Sequence, residues 1–554
     1  MTGPRAISGR WLWLLAVALM VVEFLVFDRM TSRYHARVYP RWTDQTQYLT
    51  EAYTAAQSLQ AHGLGSALAA TTHKHALQGF LHDSAAVVIF WLAGSPSRSA
   101  VLSLNLLVFL AWQAALLAVI PRVSGSRALG WIAFGLVLCV AWPWSVDAGS
   151  AVDFRLDHAA MCLMGVAATL ALHTGGFRST RWSLGFGLAV AVTLLARFLT
   201  GVYFAGIFAA LAVWILCGDS RWLRLRNLGL AALVPLVLAG PVFWVNRAAI
   251  HAYYWTGHMA SADADARAPV LSAWQSATYL VSNLGQLQLG PWFLWVAATL
   301  TAVLGLAALA SRPLEKTPVR GDWLFVSLLF FLIPAAVLGL HRQKSFYVLG
   351  VIVPGLILLL LWLWQRAWQR IDAANPAVRA AQPLAVVLAL VAGLGFFLQR
   401  QITPPHSAEF AAGATQVNRV ADYLYITSQR AGLASPRLAV DLQVDYFNGR
   451  TMSVLCYERQ KTWLPFTTTL PVGIIEEPDA FVMDRLAQSD FVLLTDVFPE
   501  NGYYPFDRQM RRLYPVVKAW CEQHLRRVDT FPIFNRQMSL YQRTALPWDS
   551  SLSP

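Results

Sequence analysis

Charged residues are scarce in this chain, and their scarcity excludes an ordinary soluble protein. Of its 554 residues, 13% are charged and 56% are hydrophobic, whereas about a quarter of the residues in a soluble domain are charged. The sequence also has no CxxC pair, no GxGxxG, no Walker lysine loop and no internal repeat. Nucleotide binding and a cysteine-held metal therefore have no support. Long apolar runs dominate instead, and they predict a polytopic α-helical membrane protein.

Eleven apolar runs are long enough, or nearly so, to span about 30 Å of hydrocarbon. They lie at residues 11–27, 99–120, 128–144, 158–173, 183–199, 200–217, 228–244, 291–310, 323–340, 347–364 and 383–398. The first run resembles a signal peptide, but Glu23 interrupts it and no small-residue cleavage site follows, so an uncleaved helix is predicted. A further piece, Ala85 to Gly94, is too short to cross and is expected to lie on the outer surface.

The distribution of arginine and lysine predicts the orientation. The formal net charge of +13 arises largely in short loops beside apolar runs, where basic residues mark the cytoplasmic side and not a nucleic-acid surface. On this reading the N-terminus is cytoplasmic. The segments predicted to face outward, into the periplasm, are residues 28–98, 145–157, Arg197, 245–290, the cluster around His341, and everything after Gln399.

The chain changes character near residue 399. Residues 1–398 form the predicted transmembrane domain, with 28–98 as its first outer loop, and 399–554 a predicted periplasmic α/β domain. Charged residues return after Thr403-Pro404-Pro405, and the patterns predict helices at 411–429 and 507–524 and strands at 437–444, 491–496 and 536–543. A disulfide between Cys456 and Cys521 is left open.

Three cations stand between two apolar runs and form the first candidate site. His341, Arg342 and Lys344 must lie at a membrane surface, where an arginine fork and a lysine point charge suit a lipid phosphate. Arg197, at another predicted helix end on the same face, is a further phosphate ligand, and Tyr347 is a nearby hydrogen-bond donor. The alternative is that these cations are interfacial anchors that snorkel to headgroups.

Carboxylates on the same predicted face form the second half of the site. Asp44 precedes an amphipathic stretch, and Asp153 and Asp157 precede the fourth apolar run. Asp44 suits a general base that takes a proton from an acceptor hydroxyl, while cations stabilise a departing phosphate. The alternatives are a solvated loop acid for Asp44 and a helix N-terminal carboxylate for Asp157. Asp157, or Asp153, could instead position a substrate or hold a divalent metal ion. A metal site at His73, His75, His82 and Asp83 is the less favoured option.

Short motifs resemble those of the GT-C integral-membrane glycosyltransferases. The resemblance is nearest to bacterial relatives of protein O-mannosyltransferases and of lipid A aminoarabinose transferases. It is carried by Asp44 after the first helix, by Arg155-Leu156-Asp157 before an apolar helix, and by the late basic loop from Lys344 to Pro354. The resemblance implies a membrane hexosyl- or pentosyltransferase that inverts the sugar as it moves it from an undecaprenyl-type polyprenyl phosphate.

The implied partners are the lipid-linked sugar, the membrane and an acceptor that is a glycan, a lipid or a protein, with no nucleic acid. No cofactor is certain, and a divalent metal ion is the one candidate; the resemblance also implies a bacterial inner membrane. A transporter or flippase of lipid-linked sugars and a non-catalytic envelope assembly protein are the alternative functions. A transporter should show repeats or broken, charged helices near the midplane, whereas the polar residues of this sequence gather at the ends of its apolar runs.

Overall fold

The computed structural model describes residues 9–72, 79–259, 271–311, 321–342, 344–371, 380–441, 448–471, 476–498, 507–533, 536–548 and 551. The structure is a bundle of apolar helices that carries a small sheet domain near its C-terminus. The bundle helices are α1 Gly9–Met30, α2 Thr43–Thr72, α3 Leu81–Ala93, α4 Arg98–Ser124, α5 Arg127–Leu138, α6 Leu156–His173, α7 Thr180–Ala196, α8 Thr200–Leu216, α9 Arg221–Leu238, α10 Gly240–His251, α11 Ala273–Asn283, α12 Gly290–Leu309, α13 Gly321–Leu340, α14 Val353–Trp368 and α15 Ala381–Ile402.

All eleven apolar runs fall on helices of this bundle, as predicted. Within the described ranges, seven helical segments are long and apolar enough to cross a membrane, and α9 with α10 makes an eighth if the bent pair counts as one span. The helices α5, α7 and α8 are apolar but shorter. The chain is therefore a multi-pass membrane protein. The thirteen residues of α3 cover about 20 Å, less than the hydrocarbon thickness, in keeping with its predicted surface position.

Three apolar runs fold differently from a single straight α-helix. The run 347–364 begins as a 3-10 segment, Phe346–Ile352, before α14. The run 228–244 is broken between Leu238 and Gly240, where α9 and α10 meet at a bend of 62°. Pro241 stands in the first turn of α10, where a missing N–H costs least and a new helix begins readily. In the run 128–144 the α-helix ends at Leu138, and Pro143 lies in a short 3-10 turn, Trp142–Trp144.

The first loop folds onto the bundle as two helices. The longer one, α2, is kinked at Gly63, whose φ of 81° lies in the left-handed region that glycine tolerates. The shorter one, α3, buries His82, Asp83 and Ser84 in its first turn. His73 and His75, the other members of the less favoured metal site, lie outside the described residues.

The C-terminal part is an α/β unit built on a five-stranded sheet. Its elements are α16 Ala408–Arg430, β1 Arg437–Val440, α17 Gly449–Gln460, β2 Thr467–Leu470, α18 Asp479–Ala487, β3 Phe491–Thr495, α19 Asp507–His524, β4 Leu525–Ile533 and β5 Arg536–Arg543. The strand order is β2-β1-β3-β5-β4, with β1 parallel to both of its neighbours and β5 antiparallel to β3 and β4. The predicted helices and strands are present, with β1 ending at Val440, while β2, β4, α17 and α18 were not foreseen. Cys456 and Cys521 are both buried free thiols, so the disulfide left open is not formed.

Candidate functional site

A cavity that opens to solvent brings together residues from distant parts of the bundle. It lies where the first turn of α2, the segment before α6 and the α7–α8 break meet the loop after α13. Its charged, imidazole and phenol side chains are Asp44, Tyr48, Arg155, Arg197, Tyr203, Tyr253, Tyr254, His258, His341 and Tyr347. Asp44 and His341, which the sequence predicted to lie at one membrane face, thus line the same cavity.

Arg155 is the centre of the charge cluster. Its guanidinium donates a hydrogen bond to Asp44, and its Nε lies 3.8 Å from Asp153 Oδ2 and 3.7 Å from Asp157 Oδ2. The guanidinium carbon is 4.2 Å from the ring centroid of Tyr347, a cation–π contact. Only 8% of the Arg155 side chain is exposed, so one buried cation is shared by three carboxylates.

Asp157 is held by a second arginine from another helix break. Arg197 follows the last residue of α7, and its Nη2 lies 2.9 Å from Asp157 Oδ1. Asp157 stands in the first turn of α6 and its side chain is 1% exposed. The N-cap residue of α6 is Arg155, which makes no capping side-chain hydrogen bond. The side chain of Asp157 is therefore ion-paired, and as an acid in the first turn of α6 it is also the helix N-terminal carboxylate that the sequence offered as an alternative.

Asp153 is buried beside the ion pair of Asp157 and Arg197, and its carboxyl group is hydrogen-bonded to a tight turn. Its Oδ2 accepts a hydrogen bond from Gly149 N–H at 2.6 Å. Gly149 has a φ of 78°, and a Cβ there would lie 3.0 Å from the Cβ atoms of both Asp157 and Tyr347, so the turn needs glycine. Burial, the main cause, raises the pKa of Asp153 to about 8. At neutral pH the carboxyl is therefore largely protonated, and two guanidiniums face two carboxylates.

The basic loop after α13 is divided between the cavity and the helix end. His341 and Tyr347 line the cavity. The ammonium of Lys344 instead donates to the carbonyls of Leu338, Gly339 and His341 at 3.1, 2.7 and 2.6 Å, which satisfies open acceptors at the end of α13. Burial lowers the pKa of Lys344.

Among the described residues, neither Arg342 nor Lys344 lines the cavity. Six of the eight predicted site residues are therefore brought together in or directly beneath it: Asp44, Asp153, Asp157, Arg197, His341 and Tyr347. The other two lie beside it.

Sequence reasoning gave Arg155 no chemical role and, among the cavity tyrosines, assigned a role only to Tyr347. Arg155 stands between Asp153 and Asp157 in a chain where charge is rare, and that spacing was a signal for a bridging cation. Tyr253 and Tyr254 also line the cavity.

An apolar groove opens from the cavity. Its walls include Phe243, Trp244 and Trp255, and it shares four lining residues with the cavity: Leu199, Tyr254, Val337 and His341. Trp244 and Trp255 are 69% and 58% exposed, as expected for side chains that face lipid. A polar chamber and an apolar channel thus meet at His341.

The described residues contain no group of three or more His, Cys, Asp or Glu side chains placed to hold a metal ion. The oxygens of Asp153 and Asp157 instead face guanidinium nitrogens and a backbone amide. Binding of a metal ion by these carboxylates would require both arginines to move.

Neither a known family nor a curated protein matches this sequence. Solved structures do match over nearly the whole chain. The crystal structure of ArnT from Cupriavidus metallidurans bound to undecaprenyl phosphate is 13% identical, with a TM-score of 0.56, over 97% of this chain and 99% of that one. The apo structure of the same protein is 14% identical, with a TM-score of 0.58, over 99% and 100%.

A third match is the arabinofuranosyltransferase AftD from Mycobacteria, seen by cryo-electron microscopy. It is 14% identical, with a TM-score of 0.52, and the match covers 98% of this chain but 40% of the larger protein. These similarities confirm the GT-C fold that the short motifs predicted, a polytopic helical membrane domain followed by a small α/β domain. At such identities the likeness is one of fold.

Proposed function

We propose that this protein is a membrane glycosyltransferase that moves a sugar from a polyprenyl phosphate to an acceptor hydroxyl or phosphate. The observation that carries the proposal is the junction of two spaces with different chemistry. A cavity that contains two buried guanidiniums continues directly into an apolar groove at His341 and Tyr254. An amphiphile with an anionic head and a long hydrocarbon tail suits both spaces at once.

The donor phosphate would bind Arg155 and Arg197, with His341 and Tyr347 as further donors, while the prenyl chain follows the groove. ArnT, whose fold this chain has, binds undecaprenyl phosphate, which supports an undecaprenyl-type carrier. As the glycosidic bond breaks, negative charge grows on the leaving phosphate. Guanidiniums already held by buried carboxylates stabilise that charge with little reorganisation.

Asp44 would be the general base. It is half-exposed, at 53% of its side chain, while its partner Arg155 is buried. A donor phosphate that binds Arg155 would compete with Asp44 for the guanidinium. Asp44 is then released to accept the proton of an acceptor that attacks from the face opposite the leaving phosphate, which inverts the sugar configuration. Loading of the donor and activation of the acceptor would thereby be coupled.

The two buried carboxylates would have supporting roles. Asp157 orients Arg197 and Arg155 through ion pairs, and Asp153 positions the turn that carries Gly149. A divalent ion at Asp157 stays an alternative that requires the arginines to move. Lys344 and Arg342 would contribute to the field at the cavity edge, with Lys344 also closing the end of α13.

The cavity is proposed to face the periplasm, with the protein in the bacterial inner membrane and the N-terminus in the cytoplasm. The sheet domain lies at the same end of the bundle as the cavity, because its helix α17 contacts α2. The basic short loops at the other end support this orientation. Residues 1–398 and 399–554 are proposed as the two domains.

One observation favours a second function, transport of the same lipid. The bent pair α9–α10 borders the apolar groove, and broken helices are a feature of transporters. A flippase would move the lipid-linked sugar across a bilayer and leave its glycosidic bond intact, whereas a transferase releases the free polyprenyl phosphate.

The test uses purified full-length protein in nanodiscs with a radiolabelled polyprenyl-phosphate sugar and an extract of envelope acceptors. Transfer of label with release of the lipid phosphate is expected. Asp44→Asn should lower kcat by about 100-fold or more, the range of a lost general base, while donor binding persists.

Asp28→Asn is the matched control. Asp28 is an acid near the end of α1, outside the cavity, and the variant should retain parental activity. Parental transfer by Asp44→Asn would refute the assignment of the base.

A further inference from the structure

A single carboxylate of the C-terminal domain links three elements of the membrane domain, directly or through an arginine. Glu458, on α17, accepts a hydrogen bond from Arg98 Nε at 3.0 Å, and the Nη2 of the same arginine pairs with its other oxygen. The phenol of Tyr53, on α2, donates to Glu458 at 2.7 Å. Nη1 of Arg98 donates to His35 O at 3.0 Å and to Val38 O. Glu458 thus joins the start of α4 to α2, and Arg98 extends the junction to the loop after α1.

The groups in this junction are withdrawn from water. Arg98 is 3% exposed and Tyr53 is fully buried, and the Glu458 side chain is 13% exposed. The rings of Tyr53 and Tyr457 lie 4.9 Å apart, and Val454 of the same helix packs in the core of the membrane bundle. A buried, hydrogen-bonded ion pair tolerates little displacement, because separating the charges leaves each one desolvated and unpaired.

The same helix also reaches the wall of the cavity. Arg450, near the start of α17, donates to the side chain of Gln47 at 3.3 Å. Gln47 lines the cavity one turn after Asp44 on α2. One side of α2 therefore faces Arg155, while α17 contacts α2 at Gln47 and at Tyr53. The position of Asp44 relative to Arg155 depends on both contacts.

We infer that Glu458 is a positioning residue for the transfer reaction and that the C-terminal domain is a working part of the catalytic unit. This inference rests on the proposed role of Asp44 as base. Glu458 does not touch the cavity. It holds α2 so that Asp44 stays within reach of both Arg155 and the acceptor. A shift of about 1 Å in a catalytic group can lower a rate by about 100-fold.

The experiment compares four full-length variants in the nanodisc transfer assay, each normalised to monodisperse folded protein. Glu458→Gln keeps the shape and removes the charge, and it should lower kcat at least tenfold while the donor KM changes less than twofold. Tyr53→Phe removes one hydroxyl and should lower kcat by a smaller factor in the same direction. Glu458→Asp keeps the charge and should recover part of the loss.

Arg459→Gln is the matched control. Arg459 is the next residue of α17, and it pairs with Asp422 inside the C-terminal domain, so its loss should leave kcat and KM unchanged. If Glu458→Gln does not fold, Tyr53→Phe decides: parental kcat in that variant overturns the inference. A lower Tm with parental kcat in Glu458→Gln also overturns it, because the junction is then merely structural.

Asp44→Asn is assayed in the same series, so that the two proposals fail in different ways. Retention of transfer by Asp44→Asn overturns the proposed base, and with it the reason for positioning α2. Loss of transfer in Asp44→Asn together with full activity in Glu458→Gln overturns only the positioning role.

Discussion

Replacement of Arg155 by lysine tests whether the fork of the guanidinium, and not only its charge, holds the site together. Arg155 contacts Asp44, Asp153 and Asp157 and lies over the ring of Tyr347. A lysine ammonium keeps the positive charge, but it is a point donor that cannot bridge separated carboxylates or stack on a ring. The variant therefore removes geometry and retains charge.

The expected magnitude follows from the contacts that a lysine cannot reproduce. Loss of one donor that stabilises a developing oxyanion costs about 2.7–4 kcal/mol, which is about 100- to 1,000-fold in kcat. Loss of a hydrogen bond to a charged group weakens folding by about 1.5–3 kcal/mol, and the planar stacking of the guanidinium on the ring of Tyr347 is lost as well. We expect Arg155→Lys to lower kcat about 100-fold and to lower the Tm by several degrees.

Arg224→Lys provides the matched control at the other end of the bundle. Arg224 is also buried, donates to Gly176 O at 2.7 Å and lies 4.3 Å from the ring centroid of Trp214. Its replacement should cost similar stability and leave kcat within about twofold. Transfer is measured at saturating donor, and Tm by tryptophan fluorescence. The reasoning is refuted if Arg155→Lys keeps kcat within threefold of the parent, or if Arg224→Lys loses as much activity.

Two further predictions concern the donor. Because burial raises the pKa of Asp153 to about 8, its negative charge appears beside Arg155 only as the pH rises through 8. The donor KM should therefore increase above pH 8 in the parent and stay constant in Asp153→Asn. A parallel increase of the KM in both proteins would contradict this prediction. Val202 lines the apolar groove and is 54% exposed, so Val202→Trp should raise the KM for a long-chain donor about tenfold but not for a short-chain analogue. Val213→Trp, three turns further on the same face of α8 and 63% exposed, should change neither KM.

Local sequence patterns predicted the helices and strands, whereas the arrangement of the site depends on contacts between residues that are distant in the sequence. Apolar runs and interfacial cations are properties of short segments, so the helices, the sheet domain and the clustering of Asp44 with Asp157 followed from them. The ion pair of Asp44 with Arg155 joins residues 111 apart in the chain, and no local signal records it. The break after Leu238 depends on a Gly-Pro step inside an apolar run, where hydropathy stays high and hides the bend.

The contacts of Lys344 show what charge and position in a sequence leave out. A lysine between two membrane runs satisfies the pattern for a phosphate ligand, yet its three donors meet the three carbonyls of Leu338, Gly339 and His341. An external anion and the carbonyls at the end of α13 compete for the ammonium of Lys344, and the carbonyls lie within reach of the side chain. Backbone acceptors are invisible in a sequence, because every residue carries one.

The different exposure of the three carboxyl groups separates the roles proposed for them. Asp153 and Asp157 are 2% and 1% exposed, while Asp44 is 53% exposed. A base must come within about 3 Å of the acceptor proton, and a carboxylate enclosed by guanidiniums and a backbone turn cannot do so without disrupting its own ion pairs. Asp44 can turn toward an acceptor when a phosphate takes its place on Arg155. The buried pair therefore suits the permanent binding of the arginines, and the half-exposed carboxylate suits a group that must be released in every turnover.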